Sequence, residues 1–540
     1  MRTNGVGTLA VAVLAGLACG QTEVRPIALV GTDGPLGPGL GESVVFEHLS
    51  IAAADDAKSP LFLNGLTTSP GSSTKSSHWV WDGEQLRRLW DPAEVGNLLN
   101  TYTTPIYPTG DRFAWRQGVP ASGGGSASYV WHLDASSLGL LVGPETPLPG
   151  VGEGVTMRSL PTSGDDISIG APSPEVSDAG AAFSALLEGP GVTPENETAV
   201  FLGTPGDLRL LVRSGQPLPG GGTVQRLRPV ADVDDDGRVL VVAVPSTGEP
   251  LQQALLASGD GAAERVGDRD WTLRVSGARA LWFAADGGVA LSGAHLSEAG
   301  ASALGVWHVG AGEPVLVLGA APPVDTPDGP VQPPAPHMEK AVVWSAHEAL
   351  VARMVGPQTE ELVRVRGGSR VVVAASGDPA IEGLPHEIDA FEVWHTRDPR
   401  LALVGARLRS PGGAMLARVD GDALTPIAFS GQTVDIDPGP GLDLRVVAAP
   451  YSLTGRALTG LPDEIAVALT FTDGTSGVFL LPTGVCRADF GADGAVDISD
   501  LLTYLGAFRS AGRRADETGD GRVDVNDLLA FLGSFRQGCE

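Results

Sequence analysis

The feature that most constrains this chain is its punctuation. From about residue 25 to 483 it offers short apolar, β-branched runs of roughly four to eight residues. Each run is cut by Gly, Pro or Asp before a helical period can establish itself. With 74 Gly and 42 Pro in 540 residues, turns recur too often for long helices. An apolar content of 42% is at the same time too high for a disordered chain. The region is predicted to be all-β.

The runs also recur in a fixed order. A strand turns through Asp/Gly and returns on an apolar strand, as at Asp234–Gly237 into Arg238–Val241 and at Asp286–Gly287 into Val289–Leu291. Weaker copies lie at Thr396–Leu403, at Tyr107–Ala114, and at Ser177–Gly180 leading to Phe183. A third and a fourth strand follow, as in Gly305–Val309 before Val315–Leu318 and Ala199–Leu202 before Leu208–Val212. The fourth ends in a small-residue and Pro exit, such as Ser214–Gly220 or Ser376–Pro379. Four antiparallel strands at a period of roughly fifty to seventy residues are the signature of a β-propeller.

Eight units can be read. The last stops after its third strand, Ser476–Leu481, and the missing fourth-strand pattern stands at the N-terminus as Ile27–Gly31. A propeller of about eight four-stranded blades, closed by an N-terminal strand, needs that arrangement and leaves no broad sheet edge exposed. The rival architecture is an open array of small β-sandwiches.

The chain start has the layout of a secretory signal peptide over residues 1–20: Arg2, an apolar run from Val6 to Ala18, then Ala18-Cys19-Gly20 before Gln21. The run is too short to span a bilayer, and no later stretch is a membrane helix. Cys19 admits a second reading, lipid modification, although Gly16 stands where such a site takes Leu. The expected location is secreted or cell-surface. Beyond Cys19 the chain has two cysteines, Cys486 and Cys539, which bracket its last segment. In an oxidising compartment they are expected to form one disulfide, closing a loop at a gain of about 4 kcal/mol; two free thiols are the alternative. A net charge of −28 argues against nucleic-acid or anionic-membrane partners, which need clustered Lys and Arg.

The most specific chemistry lies in 486–540. Two twelve-residue segments, Asp489–Asp500 and Asp516–Asp527, match at an offset of 27 residues. Each has carboxylates at positions 1, 5, 9 and 12 and Gly at position 6. Calcium takes six to eight oxygens, and a loop of this pattern wraps alternate side chains around it, the Gly permitting the sharp turn. An amphipathic helix follows each, with Leu501, Leu502, Leu505 and Phe508 in the first and Leu528, Leu529, Leu532 and Phe535 in the second. Two such loops in register make chance improbable.

The segment resembles a dockerin, of the bacterial variety framed by a terminal Gly-Cys, here Gly538-Cys539. The resemblance implies two Ca2+ sites: Asp489, Asp493, Ala495 (through its backbone oxygen), Asp497 and Asp500 in one, and Asp516, Thr518, Asp520, Arg522 (backbone oxygen), Asp524 and Asp527 in the other. Position 3 is Gly491 in the first loop, with no side-chain oxygen, so that site is expected to be the weaker. The resemblance further implies docking onto a cohesin-like or other surface-anchoring protein through the helices, with Thr503, Tyr504, Arg509, Ala530 and Arg536 exposed. A calcium-stabilised cap with no such partner is the alternative. The turns of residues 40–483 resemble, in degenerate form, a bacterial tandem-repeat family named for its Asn-x-x-Gly-x-x-Ala-Phe motif. The leading Asn is absent from the copies above.

No Gly-x-Ser-x-Gly, His-Glu-x-x-His or phosphate-cradling motif occurs. His78, His132, His308 and His395 each neighbour a Trp in a strand, which fits packing better than metal ligation. Trp79, Trp81, Trp131, Trp307 and Trp394 are expected in blade cores, a few of them at a rim where they would stack on sugars. The leading expectation is an exported, non-catalytic propeller protein tethered through a calcium-dependent module. The runner-up is a polysaccharide-binding or polysaccharide-degrading enzyme carried by that module.

Overall fold

A computed structural model describes residues 25–538 apart from 31–37, 39–44, 54–60, 69–74, 89–112, 121–125, 160–174, 247–251, 274–280, 332–339, 381–385, 395–400, 437–442, 452–463, 491–495, 510–514, 518–522 and stretches of four residues or fewer. The signal-peptide reading and Cys19 lie outside them.

The fold is mainly β, built of successive antiparallel sheets. Its described residues form eight antiparallel sheets of three to six strands, a two-stranded hairpin and two helices. In chain order, sheets 1 to 4 span residues 45–88, 113–142, 156–213 and 224–265. Sheets 5 to 8 span 270–319, 341–375, 388–429 and 433–482. Sheets 1, 4, 6 and 7 are four-stranded meanders. Sheet 5 has two additional short strands paired to its Val289–Ser297, and sheet 3 one paired to Gly180–Glu188.

The N-terminal strand Arg25–Leu29 belongs to sheet 8. It pairs antiparallel with Ser476–Pro482, Arg25 opposite Leu480 and Leu29 opposite Gly477. Beyond it, Val30 donates its N–H to the Ser476 carbonyl at 2.9 Å and makes a parallel bridge to Phe46 of sheet 1.

From sheet 2 onward, hydrophobic cores lie between successive sheets. Ala181, Phe183, Ala199 and Phe201 of sheet 3 pack with Ala114 and Val130 of sheet 2. Their sequence neighbours Ala182, Val200 and Leu202 pack with Val239 and Val241 of sheet 4. Alternate residues of a strand point to opposite faces, so a strand buried on both reads as a continuous apolar run. The same holds between sheets 4 and 5, 5 and 6, and 6 and 7. The largest core among the described residues joins Leu403 and Leu416 of sheet 7, Val467 and Phe479 of sheet 8, the N-terminal Ile27, and Phe46 and Trp79 of sheet 1.

The Ser-Gly exits act as staples between sheets. Ser214, Ser376 and Ser430 each accept, through Oγ, an N–H from the preceding strand of their own sheet: Thr198, Glu360 and Ala414, all at 3.0 Å. The following glycine donates its N–H to the next sheet, Gly215 to Val224, Gly377 to Ile388 and Gly431 to Val447, at 2.7, 2.8 and 2.7 Å. All three glycines have φ between 85° and 97°, a region side chains oppose. The next residue, Gln216, Asp378 or Gln432, accepts the N–H three positions back. A repeated tripeptide therefore makes a repeated turn.

Candidate functional site

Of the residues expected to bind calcium, Asp489, Asp497, Asp500, Asp524 and Asp527 are described; Asp493, Ala495, Asp516, Thr518, Asp520 and Arg522 lie outside the described residues. Cys486 is disulfide-bonded. Its expected partner, Cys539, lies outside the described residues too.

Helix α1 (Ile498–Arg509) and helix α2 (Val525–Gln537) start in the same way. Asp497 Oδ1 accepts the Ser499 N–H at 2.7 Å, and Asp500 Oδ2 accepts the Asp497 N–H at 2.9 Å. Twenty-seven residues on, Asp524 Oδ1 accepts the Asn526 N–H at 2.7 Å and Asp527 Oδ2 the Asp524 N–H at 2.7 Å. Each pair is a reciprocal cap, satisfying N–H groups a helix start otherwise leaves open. Such a cap contributes roughly 1 kcal/mol. Asp500 and Asp527 are fully buried. Asp497 is held below the ordinary carboxylate range by the Ser499 hydroxyl and then by the Ser499 N–H. These are positions 9 and 12 of the two loops. Their donors are all carboxylate oxygens, the hard set that fits calcium. Among the described residues no three His, Cys, Asp or Glu side chains gather as a metal group.

The module's core is aromatic. Phe490, Tyr504, Ala515 and Phe531 are fully buried together. Tyr504 and Phe531, equivalent in the two repeats, stack with centroids 4.0 Å apart, and Phe490 meets both edge-on at 5.2 and 5.8 Å. The Tyr504 hydroxyl donates to the Ala515 carbonyl at 3.3 Å. Tyr504 is thus a core residue, contrary to its expected place on a partner surface. Thr503, Arg509 and Arg536 are exposed as expected, and Ala530 is half-buried.

The leucine rows also differ from expectation. Leu501, Leu528, Phe508 and Phe535 pack on the core, but Leu502 and Leu529 are 63% and 61% exposed. Leu505 and Leu532, with Ile498 and Val525, are exposed as well. One helix face carries the core and a second, equally apolar, meets solvent. Gly506 and Gly533 adjoin that outer face, each costing its helix about 1 kcal/mol relative to Ala.

In the sheet region Trp79, Trp307 and Trp394 are buried, and Trp81 packs half-buried against the core of sheets 7, 8 and 1. Two polar contacts escaped sequence reasoning. The His308 Nε2 lies 2.9 Å from Asp286 Oδ1, with His308 buried. Burial works to raise the Asp286 pKa, but hydrogen bonds from His308 and the Gly288 N–H outweigh it and the net shift is downward. Glu360, also buried, pairs with Lys340 and accepts the Phe391 N–H of sheet 7 at 2.9 Å. Nothing in the sequence marks either, because the residues of each lie 20 or more positions apart in the chain. Asp234, read as turn chemistry, accepts the Arg238 N–H at 2.7 Å and pairs with its guanidinium.

Residues 114–263, from sheet 2 through the last turn of sheet 4, match the model of a family of unknown function, DUF7453. No curated protein matches the chain. Among solved structures it is similar to a prolyl endopeptidase studied for inter-domain dynamics, at 12% identity and a TM-score of 0.36, over 80% of this chain and 55% of that one. It is similar to the β-propeller domain of the Trilobed protease from Pyrococcus furiosus, at 9% identity and a TM-score of 0.34, over 71% and 95%. A puromycin-hydrolysing peptidase of Mycobacterium tuberculosis aligns at 12% identity and a TM-score of 0.33, over 84% and 61%. The chain therefore spans little more than half the length of the two peptidases. Likeness at such scores carries no argument about activity.

Proposed function

We propose that this is an exported, non-catalytic propeller protein, of eight blades closed by Arg25–Leu29, carried to a surface or extracellular complex by a calcium-binding, dockerin-like module at 486–540. The observation that supports the tether most is the duplication of the helix starts. Two buried aspartates, Asp500 and Asp527, cap two helices with the same hydrogen bonds at an offset of 27 residues. Both stand at position 12 of a loop with carboxylates at positions 1, 5 and 9 as well. A pair of caps needs no carboxylate at positions 1 and 5; a pair of calcium loops does. The closing strand is favoured by the core that Ile27 shares with Phe479 and Phe46.

Calorimetric titration of the full chain with Ca2+ tests the tether. Two binding events per chain are expected, the weaker at the Gly491 loop, with helical circular dichroism rising as they fill. Asp500→Asn should remove the weaker event and Asp527→Asn the stronger. A chain that binds no calcium refutes the module reading. A single event confined to the second loop refutes the paired one.

A further inference from the structure

The two repeats of the C-terminal module differ at the point where each loop begins. Tyr504 of α1 and Phe531 of α2 are equivalent, 27 residues apart, and both rings are fully buried. Only Tyr504 carries a hydroxyl, which it donates to the Ala515 carbonyl at 3.3 Å. The same carbonyl accepts the Glu517 N–H at 3.1 Å. Arg487, from the segment leading into the first loop, reaches the Glu517 carbonyl through Nη1 at 3.5 Å. Ala515 and Glu517 are buried, and in the chain they flank Asp516, position 1 of the second loop. The start of the second loop is thus fastened by side chains of the first repeat and its lead-in. At the start of the first loop, Ala488 is equivalent to Ala515 and is also fully buried. The residue equivalent to Tyr504 in the other repeat is Phe531, whose ring has no group to donate.

We propose that Tyr504 is a positioning residue for the second calcium site, and that its hydroxyl contributes to the higher affinity of that site; the proposal rests on the calcium-loop reading above. A carbonyl and the nitrogen that follows it share one planar peptide unit. Holding the Ala515 carbonyl therefore fixes the plane from which the chain enters Asp516. Groups that orient a ligand without touching the ion tune its affinity, because the ion then finds the oxygen already in place. The difference between the two sites has two sources on this account. Gly491 withholds an oxygen from the first loop, and the Tyr504 hydroxyl steadies the second. The stack on Phe531 is a separate role of the same side chain, since it needs the ring and not the hydroxyl.

Tyr504→Phe in the full chain is the test, because it removes the hydroxyl and keeps the ring. In calorimetric titration with Ca2+ the stronger event should weaken about fivefold, the net worth of one neutral hydrogen bond, and the weaker event by less than about twofold. An amine in place of the hydroxyl, supplied by 4-aminophenylalanine at position 504, keeps a donor there and should restore most of the loss. Phe508→Leu is the comparison for a merely structural role. Phe508 stacks on Tyr504 at 6.0 Å, so its truncation thins the core, leaves the hydroxyl in place and should weaken both events together. In the calcium-loaded chain, amide exchange of a peptide covering 515–517 should quicken in Tyr504→Phe, the Glu517 N–H being the reporter, and a peptide covering 488–490 should not. Equal weakening of both events in Tyr504→Phe, or an unchanged stronger event, overturns the proposal. So does a loss that the amine leaves in place. A wild-type chain that binds no calcium refutes the module reading and this inference with it; two wild-type events, with Tyr504→Phe behaving as Phe508→Leu does, refute this inference alone.

Discussion

Replacing Gly477 by Ala should detach the N-terminal strand. Gly477 lies opposite Leu29 in the last ladder, and a Cβ there would sit 2.5 Å from the Ala28 carbonyl oxygen and 2.7 Å from Leu29 Cδ2. The first neighbour is backbone and cannot rotate aside, so the strand must shift. That strand holds Ile27, Ala28 and Leu29 at 4%, 0% and 9% exposure, and a shift loosens all three. Overpacking of this kind costs about 2 kcal/mol. If the whole cost falls on the local opening of residues 25–30, their opening equilibrium rises about 30-fold. Amide hydrogen exchange read by mass spectrometry measures it directly, the Val30 N–H bonded to Ser476 being one reporter. Peptides from Val239–Pro245 in sheet 4 serve as the internal control. Unchanged exchange over 25–30 in the variant would refute the pairing argument. Equal acceleration in sheet 4 would show that the strand does not open locally.

Other substitutions probe the seams and the module. Glu360→Ala strands the Phe391 N–H and Lys340, and should lower stability by about 2 kcal/mol in urea unfolding, with Glu360→Gln losing roughly half as much. Ser376→Ala removes the acceptor for the Glu360 N–H and a donor to the Asp389 carbonyl, and should cost about 1 kcal/mol by the same assay. Asp286, whose pKa lies below its ordinary 3.8, contributes stability that is present above that value and lost as pH falls through its lower folded value. Thermal melts from pH 6 down to about 2 should therefore show an acid-side loss that Asp286→Asn lacks. Phe531→Ala empties the stack on Tyr504 and should cost the module about 3–5 kcal/mol, read as lost helical circular dichroism.

The strand order was legible because a strand buried on both faces reads as an unbroken apolar run, and Gly180–Glu188 between two Gly-rich turns leaves no other element available. The turn at Asp234–Gly237 was legible because Asp and Gly act locally. The contacts that join one sheet to the next were not. Glu360 meets Phe391 across 31 residues, and no local pattern marks the pair. The helices failed differently. Leucines at Leu501, Leu502 and Leu505 read as one face, but Tyr504 lies among them, and its stacking on Phe531 turns Leu502 and Leu505 outward. A single helix cannot announce which of two apolar faces its repeat partner will claim.

The route from sheet 8 to Cys486 has a mechanical consequence. Thr483 is buried and accepts the Val485 N–H at 3.2 Å; Gly484 lies against the Arg418 guanidinium, and Val485 packs on the core of sheets 7, 8 and 1. No slack separates the sheets from the disulfide-bonded cysteine. A pull on the C-terminal segment loads Ser476–Pro482 almost at once. That strand has Glu464–Phe471 on one side and Arg25–Leu29 on the other, so a force along it strains two ladders together instead of peeling one bond at a time. Strand Arg25–Leu29 thereby becomes a brace for whatever tension arrives at Ser476–Pro482.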